Sequence, residues 1–431
     1  MSEIESCLER GLAAKGIGPK GLKPLSEQDL AGAIVEIAKG HHSDALAATF
    51  LMGFQVLERD ESERAVFAKA YLENKVQIGP ELQDIFELLE LKGGSQIQKI
   101  LIKLAHREDL DDGECQFGVD MLLDPQISEV YKAAFLQGLR VKRETDEENL
   151  SLYKSLFSKA PRRELDGMPD VIVDWSDPYD GMNRHANLSF LGGVVLSAMG
   201  VPVVMHSTSG LGPKYGLTVL DSLGSDGELN LSLGEQALNE HGLAVLDQAK
   251  VFPEMKKLQE MRNSMKKRPF LATIEKMMMP FKAKKKTILV TGYVHKAYKS
   301  AIPEMVMSHK AYDEILLVKG IEGSVLLDPS KKISAIFAEG ETSCELEFKL
   351  NEKGASPKEE LKPSDIENIL TGKDVRWDTL SFTVSKILEI VFGRSAENDI
   401  IPEMTRLKNE GLLLNHYQKV RSFYSCSGEY V

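Results

Sequence analysis

The sequence predicts an α/β protein in two parts. Residues 1–160 read as an all-helical domain, partly duplicated (about 25–75 and 110–160), and 161–431 as a mainly parallel-sheet α/β domain. Three observations carry this reading: a helical pattern that recurs at one fixed offset, a strand–loop–helix unit used twice between Asp170 and Gly224, and further strand and helix signals that alternate beyond it.

Leu25-Ser26-Glu27 opens a helix with Leu30, Ile34 and Ile37 on one face, and Ser43 opens another carrying Ala47, Phe50, Leu51 and Phe54. The pattern then returns from Ser128. Phe50 and Phe135, Leu51 and Leu136, Gly53 and Gly138, Val56 and Val141, and Glu63 and Glu148 stand in step, and Leu25 meets Leu110 at the same offset. This is an internal duplication of a small helical unit, which points to packing or an oligomer interface before chemistry. Residues 161–169 read as a linker. Val171–Val173 is a buried strand, Pro178 and Asp180-Gly181 make a loop, and Leu188–Ala198 form a helix capped by Asn187 or Ser189 and ended at Gly200. Val201–Met205 is a second strand, and His206–Gly216 a second polar loop leading to a helix. Further on, Glu235–Gly242 is helical. Thr287–Tyr293, Ile315–Lys319 and Ser324–Leu327 are strand-like, with a helix over 296–310. The segment 338–363 is charged and turn-rich, and helices over 380–392 and 401–414 close the chain.

The chain has 431 residues, 42% apolar and 27% charged, with a net charge of −12. Four scattered cysteines, a polar N-terminus and no long apolar run lead us to expect reduced thiols, a cytoplasmic location and no membrane association. Charge is uneven: 250–299 holds 14 Lys and Arg against three Glu.

These residues carry a resemblance. The AAFLQGLRVKRET run, DGMNRHANLS (180–189), His206-Ser-Thr-Ser with Lys214-Tyr-Gly and 219–224, and Pro253-Glu-Met255 with Met261-Arg262 together resemble anthranilate phosphoribosyltransferase. They also resemble the wider glycosyltransferase family 3, which shares its fold with pyrimidine nucleoside phosphorylases. The resemblance runs from about 25 to 330. It implies a phosphate and ribose site at Asp180, Gly181, Asn183, Arg184, Ser189, Ser207, Thr208 and Lys214, with Arg262 and His206 toward the acceptor. It also implies a cleft between the domains, Mg2+ as cofactor, and a homodimer through the N-terminal helices.

The departures bear on function. The family's glycine-rich pyrophosphate turn reads Trp175-Ser-Asp-Pro-Tyr-Asp-Gly181 here, so Pro178 removes an N–H donor and Asp177 brings a repelling charge. The family's acidic metal pair falls on Val325 and Leu326, which cannot ligate a hard cation. The lysine before the family's His-Gly-Asn is Met205, and its asparagine is Thr208. What remains can still hold an anion at a helix N-terminus. Bland roles compete: Asn187 and Ser189 as caps, His185, His206 and His295 as structural or exposed histidines, and Met277–Met279 as packing.

Two functions from different classes follow. One is a divergent phosphoribosyltransferase that binds a phosphorylated ribose-type ligand, with anthranilate transfer itself disfavoured. The other is a non-catalytic nucleic-acid binder using Lys266, Lys267, Arg268, Lys282, Lys284, Lys285 and Lys286 on the basic strip. A purely structural homodimer is a third.

Overall fold

Small polar side chains start the N-terminal helices. Ser6 accepts the Glu9 N–H ahead of α1 (Cys7–Lys15), Ser26 that of Asp29 ahead of α2 (Glu27–Ala38), and Ser43 that of Leu46 ahead of α3 (Asp44–Leu57). Asp60 takes the Ser62 and Glu63 N–H groups ahead of α4 (Glu61–Asn74). Each cap satisfies a donor the first turn leaves unpaired, for about 1 kcal/mol. The computed structural model describes residues 6–16, 19–58, 60–91, 93–164, 167–208, 218–224, 228–349 and 356–426.

After α5 (Pro80–Phe86) and α6 (Gln96–Ala105) come α7 (Asp112–Leu123), α8 (Glu129–Lys142) and α9 (Asp146–Lys159). Their starts and ends keep the offset of Gly53 to Gly138 from those of α2, α3 and α4, so the sequence repeat is a structural one. Its polar fastening repeats too. Glu63 accepts the Leu25 N–H at 3.0 Å, and Glu148 accepts the Leu110 N–H at 2.8 Å. Only the cations differ. Lys15 of α1 reaches Glu58 and, at 2.5 Å, Glu63, whereas Glu148 meets Lys142 at 2.8 Å. The helices α3 and α8 pack together so closely that a Cβ at Gly138 would lie 2.7 Å from the Met52 methyl. Every residue from Ala45 to Leu57 is buried, so α3 has no face left for another molecule.

The parallel strands are nearly continuous apolar runs because they are covered on both faces, as parallel strands usually are. In chain order they and their helices are β1 (Val171–Ser176), α10 (Ser189–Ala198), β2 (Val203–Ser207), α11 (Val219–Leu223), α12 (Leu231–His241), β3 (Leu243–Asp247) and α13 (Gln248–Val251). Then follow α14 (Pro253–Met265), α15 (Leu271–Ile274), β4 (Lys286–Gly292), α16 (Ala297–His309), β5 (Glu314–Val318), β6 (Ile333–Glu339) and β7 (Thr342–Phe348). The chain ends with α17 (Ile366–Leu370), α18 (Arg376–Phe392), α19 (Ile401–Asn409) and α20 (Leu412–Cys426). One sheet runs β3-β2-β1-β4-β5-β6-β7, parallel from β3 to β5 and antiparallel through the β6–β7 hairpin. The strand order reverses at β1, between β2 and β4. In open α/β sheets such a switch point opens a crevice beyond the carboxyl ends of the strands.

Two compact units divide the chain: Met1–Lys159 with Glu254–Ala272, and Ala160–Pro253 with Thr273–Val431. The helical unit therefore includes most of α14. In the α/β unit, the Tyr424 hydroxyl on α20 accepts the Val245 N–H at 2.7 Å and so occupies the outer edge of β3.

Several sequence expectations need correction. Ser324–Leu327 is not a strand but a buried loop, whose Val325 and Leu327 N–H groups go to the Asp177 and Thr383 side chains. The segment from 338 holds the end of β6 and all of β7, an edge strand whose outward charges mask its alternation. Residues 401–414 are not one helix: Gly411, at φ +70, separates α19 from α20. Strand β3 went unread, and residue 163 of the expected linker is tied by backbone bonds to Pro280 and Lys282. Among the described residues no helix is long and apolar enough to cross a membrane. Cys7, Cys115 and Cys344 are free.

Candidate functional site

Strands β1 and β2 deliver their last residues side by side, and between them lies a buried polar network. Asp174 is the one charge in the apolar run of β1. Its Oδ2 accepts the Tyr312 hydroxyl at 2.6 Å, and its Oδ1 lies 2.9 Å from His206 Nε2 at the end of β2. A carboxylate can only accept, so Nε2 carries a proton toward Asp174, and Nδ1 lies on the other side of the ring. Tyr179 closes that nitrogen with its hydroxyl at 2.5 Å. Ser176 Oγ sits 2.9 Å from the same Nε2 and donates to the Lys276 carbonyl. Tyr312 in turn accepts the Met279 N–H at 2.9 Å. Serine, histidine and aspartate are all present, but serine and aspartate share one ring nitrogen, so this is not a nucleophile–base–acid relay. Every group is spoken for, and the histidine is hydrogen-bonded through both ring nitrogens. A hollow beside it is lined by Tyr179, His206, Leu246, Gln248, Phe252 and Met278.

A second buried group lies in the turn after β1. Asp177 Oδ1 accepts the Val325 N–H at 2.7 Å, and Oδ2 lies 3.3 Å from the Trp175 indole nitrogen. Burial pushes this carboxyl up, against the opposing pull of the Ser189 hydroxyl, the Val325 N–H, the Lys276 ammonium and the indole N–H. Lys276 donates to the Gly292 carbonyl at 2.5 Å. Burial pushes its ammonium down to about 8, although Asp177 and Glu275 pull the other way.

The third feature is an anion seat. The backbone N–H groups of Asn183 and Arg184, each 2.9 Å away, converge on the two carboxylate oxygens of Glu322, and His185 Nδ1 lies 2.8 Å from Oε1. Glu322 stands in the loop after β5. It adopts φ +51, a left-handed conformation that costs a non-glycine residue roughly 1 kcal/mol. The loop is locked against β4: a Cβ at Gly292 would come 2.0 Å from the Ser324 carbonyl oxygen. We predict that Gly292→Ala costs about 1–3 kcal/mol and displaces this loop, read as a lowered melting temperature with altered amide resonances of Asn183 and Arg184. Unchanged resonances would show that the loop is held by something else.

The sequence candidates fall as follows. Asn183 and Arg184 are exposed, and Asp180 and Gly181 half-buried, in the turn leading to the seat. Ser189 is fully buried and acts on Asp177. Ser207 and Thr208 are buried at the end of β2, and Thr208 Oγ1 has no hydrogen-bond partner among the described residues. His206 belongs to the network above. Lys214 and Ser209 lie outside the described residues. Arg262 is buried on α14, within the helical unit. The basic strip is split between the two units and largely paired with acids. Lys266 meets Glu9, Lys282 lies 3.7 Å from Glu164, Lys285 is 2.6 Å from Asp170, and Lys286 meets Glu314. Lys267 is half-buried, and burial lowers its ammonium. Lys284 and Arg268 are exposed.

Sequence reasoning missed Asp174, Tyr179, Lys276, Tyr312 and Glu322. Signals existed for two of them: a charge inside the VIVDW strand, and a lysine flanked by Ile274 and Met277–Met279.

The matching positions do not fit a resident magnesium. Val325 and Leu326 are fully buried and offer no side-chain oxygen, and the Leu326 carbonyl is taken by the Ile321 N–H. Nearby, Asp328 is 2.8 Å from Lys331 and accepts from Ser330, and Glu322 is engaged as described.

The fold defines a class: a helical bundle joined to an α/β unit built on one mixed sheet. Known proteins agree. Residues 180–356 match the Glycosyl transferase family, a/b domain, and 98–160 its helical bundle domain. An uncharacterized protein of Aquifex aeolicus is 28% identical over 223 residues, covering 51% of this chain and 65% of that one. The anthranilate phosphoribosyltransferase of Streptococcus mutans is 30% identical over 173 residues, 39% of this chain and 50% of that enzyme. The chain thus spans from half to just under two thirds of the length of these curated relatives. Among solved structures, anthranilate phosphoribosyltransferase from Thermus thermophilus superposes with a TM-score of 0.57 at 18% identity, covering 77% of this chain and 99% of that one. The Saccharomyces cerevisiae enzyme in complex with PRPP and Mg gives 0.59 at 17% identity, covering 78% and 99%. The chain belongs to this glycosyl transferase family, as an anthranilate phosphoribosyltransferase-like member. The helical match falls on the second copy of the repeat.

Proposed function

We propose that the α/β unit binds a phosphorylated, ribose-type ligand at the carboxyl ends of β1, β2 and β5, and does not transfer the ribosyl group to anthranilate. The observation that carries the first half is the convergence of the Asn183 and Arg184 N–H groups with His185 on one oxyanion, Glu322, at the sheet's switch point. The second half rests on what the cradle has become. Tyr179 and Asp177 stand in the stretch that takes the place of the resembling enzymes' glycine-rich pyrophosphate turn, one bonded to His206 and the other a buried acid. Phosphoribosyl transfer needs the leaving pyrophosphate's charge stabilised as the bond breaks. Val325 and Leu326 supply nothing for that. Calorimetry with phosphoribosyl pyrophosphate, with and without Mg2+, followed by an anthranilate consumption assay, tests both halves. We expect binding without turnover. Absence of binding sinks the first half, and robust turnover the second.

The nucleic-acid reading ranks second. Exposed Lys282, Lys284 and Lys285 favour it, but ion pairs from Lys282 and Lys285 to Glu164 and Asp170 weaken it. A labelled oligonucleotide that shifts at low salt, with affinity falling linearly in log salt and lost when Lys284–Lys286 are neutralised, would make nucleic acid the ligand instead. A homodimer through the N-terminal helices belongs to the same proposal. It would have to use surface other than α3, such as exposed Leu72 and Val76.

A further inference from the structure

The Asn183–His185 seat is built for an anion and already contains one. Glu322 is a carboxylate with only a tenth of its side chain exposed, yet among the described residues it makes no ion pair with a lysine. Its close partners are two main-chain N–H groups and an imidazole, and the Arg184 guanidinium stays 3.9 Å off and largely in solvent. Those are the partners a phosphate oxygen takes, and main-chain N–H groups do not discriminate between a carboxylate and a phosphate. The side chain is delivered by a residue in a left-handed conformation, between Gly320 and Gly323, on a loop fixed by its contact with Gly292. Strain of that kind persists only where surrounding contacts hold it, and here the bonds formed by the carboxylate are such contacts.

We propose that Glu322 is a built-in competitor, filling the phosphate seat of the 183–185 loop, so that a phosphorylated ligand binds only by exchanging its phosphate for this carboxylate. The idea rests on the reading above that a phosphorylated ligand uses this end of the sheet. It makes Glu322 the residue that sets the affinity threshold. A tethered carboxylate competes at a high effective concentration, so weakly held anions are excluded and only a ligand with further contacts displaces it. In the displaced state the freed carboxylate, now in solvent, regains its hydration.

The test uses the full chain and inorganic phosphate as probe, titrated calorimetrically into the wild type, Glu322→Ala and Glu322→Gln, with circular dichroism confirming that each is folded. Glu322→Ala should bind phosphate at least about tenfold tighter than the wild type. Glu322→Gln, the same shape without the charge, should fall between them because a neutral amide holds the two N–H groups less strongly. It carries the comparison if the alanine variant does not fold. Equal phosphate affinity in the wild type and the folded variants overturns the proposal. So does weaker binding in Glu322→Gln, which would make the carboxylate a support of the seat rather than its occupant. Phosphoribosyl pyrophosphate then separates this claim from the functional one. A gain for phosphate without binding of phosphoribosyl pyrophosphate by any variant leaves Glu322 in its role and removes the ribose-phosphate reading. Binding of phosphoribosyl pyrophosphate by the wild type, unchanged in the variants, does the reverse.

Discussion

Lys15→Met is expected to destabilise the helical unit by about 3–5 kcal/mol at neutral pH, lowering its unfolding transition by roughly 10 °C. The lysine is 1% exposed and is the cation shared by Glu58 and Glu63, whose side chains are 5% and 11% exposed. Methionine fills the same volume, so the cost is not a cavity. It is two carboxylates that lose the cation they share in a place water scarcely reaches. The intact pair is not worth this much, because its attraction is spent largely on desolvation; breaking it is what costs. The pH dependence gives an independent check. Burial raises the Glu58 carboxyl, but Lys15, the Asp60 N–H and Glu63 outweigh it and leave it below its ordinary value. A carboxyl lowered in the folded state contributes stability above its unfolded pKa and loses it as pH falls through the folded one. In the variant that pull is gone and a proton removes the unpaired buried charge. The deficit should therefore be largest near pH 7 and shrink toward pH 4, measured by urea unfolding followed in the helical signal. A deficit under 1 kcal/mol, or one constant with pH, would mean that Glu58 and Glu63 find other partners.

The repeat containing this pair was legible in the sequence, and its legibility has a physical cause. Helical packing fixes side chains at every third or fourth position, so two copies of one packing solution keep Phe50 and Phe135, Gly53 and Gly138, and Glu63 and Glu148 in register even as their neighbours drift. Strands β1, β2, β4 and β5 were legible for a similar reason, since burial on both faces forces nearly continuous apolar runs. The β6–β7 hairpin was not, because one face of an edge strand is open to water and Glu345 and Glu347 dilute the signal. The candidate site divides the same way. The loop after β1 was found because its composition is unusual. Glu322 was passed over because a glutamate between glycines reads as an exposed turn, and nothing local reveals that its partners are 137 to 139 residues away. Lys276 and Asp177 are joined only by the sheet, so their coupling has no sequence pattern at all.

That coupling leads to the second large effect. Wild-type stability measured against Lys276→Met should rise by about 2 kcal/mol between pH 7.5 and 9.5. Burial holds the Lys276 ammonium down at about 8 in the folded chain against an ordinary 10.5. Between those values the unfolded chain keeps the proton and the folded chain has released it, so the unfolded state binds more protons and stability climbs with pH. Below about 8 both states are protonated and the desolvation penalty is constant; above 10.5 the gain is complete. Cys115, pushed up by burial to about 12, bends the wild-type curve the other way above its ordinary value. Taking the difference from Lys276→Met removes that contribution, because both proteins carry it. Asp177 and Glu275 are the charges that face Lys276, and Asp177 is itself pushed up by burial. As Lys276 loses its proton, Asp177 loses its attraction and tends to gain one, which reduces the rise but does not reverse it. The outcome also bears on ligand binding. A rising difference means that the Lys276–Asp177 pair releases a proton in the folded chain, so its charge becomes one unit more negative and an incoming phosphate is repelled more strongly as pH rises. Parallel curves mean that the pair keeps its proton through pH 9.5, so no net negative charge develops in the turn after β1 and the repulsion of a phosphorylated ligand stays constant with pH.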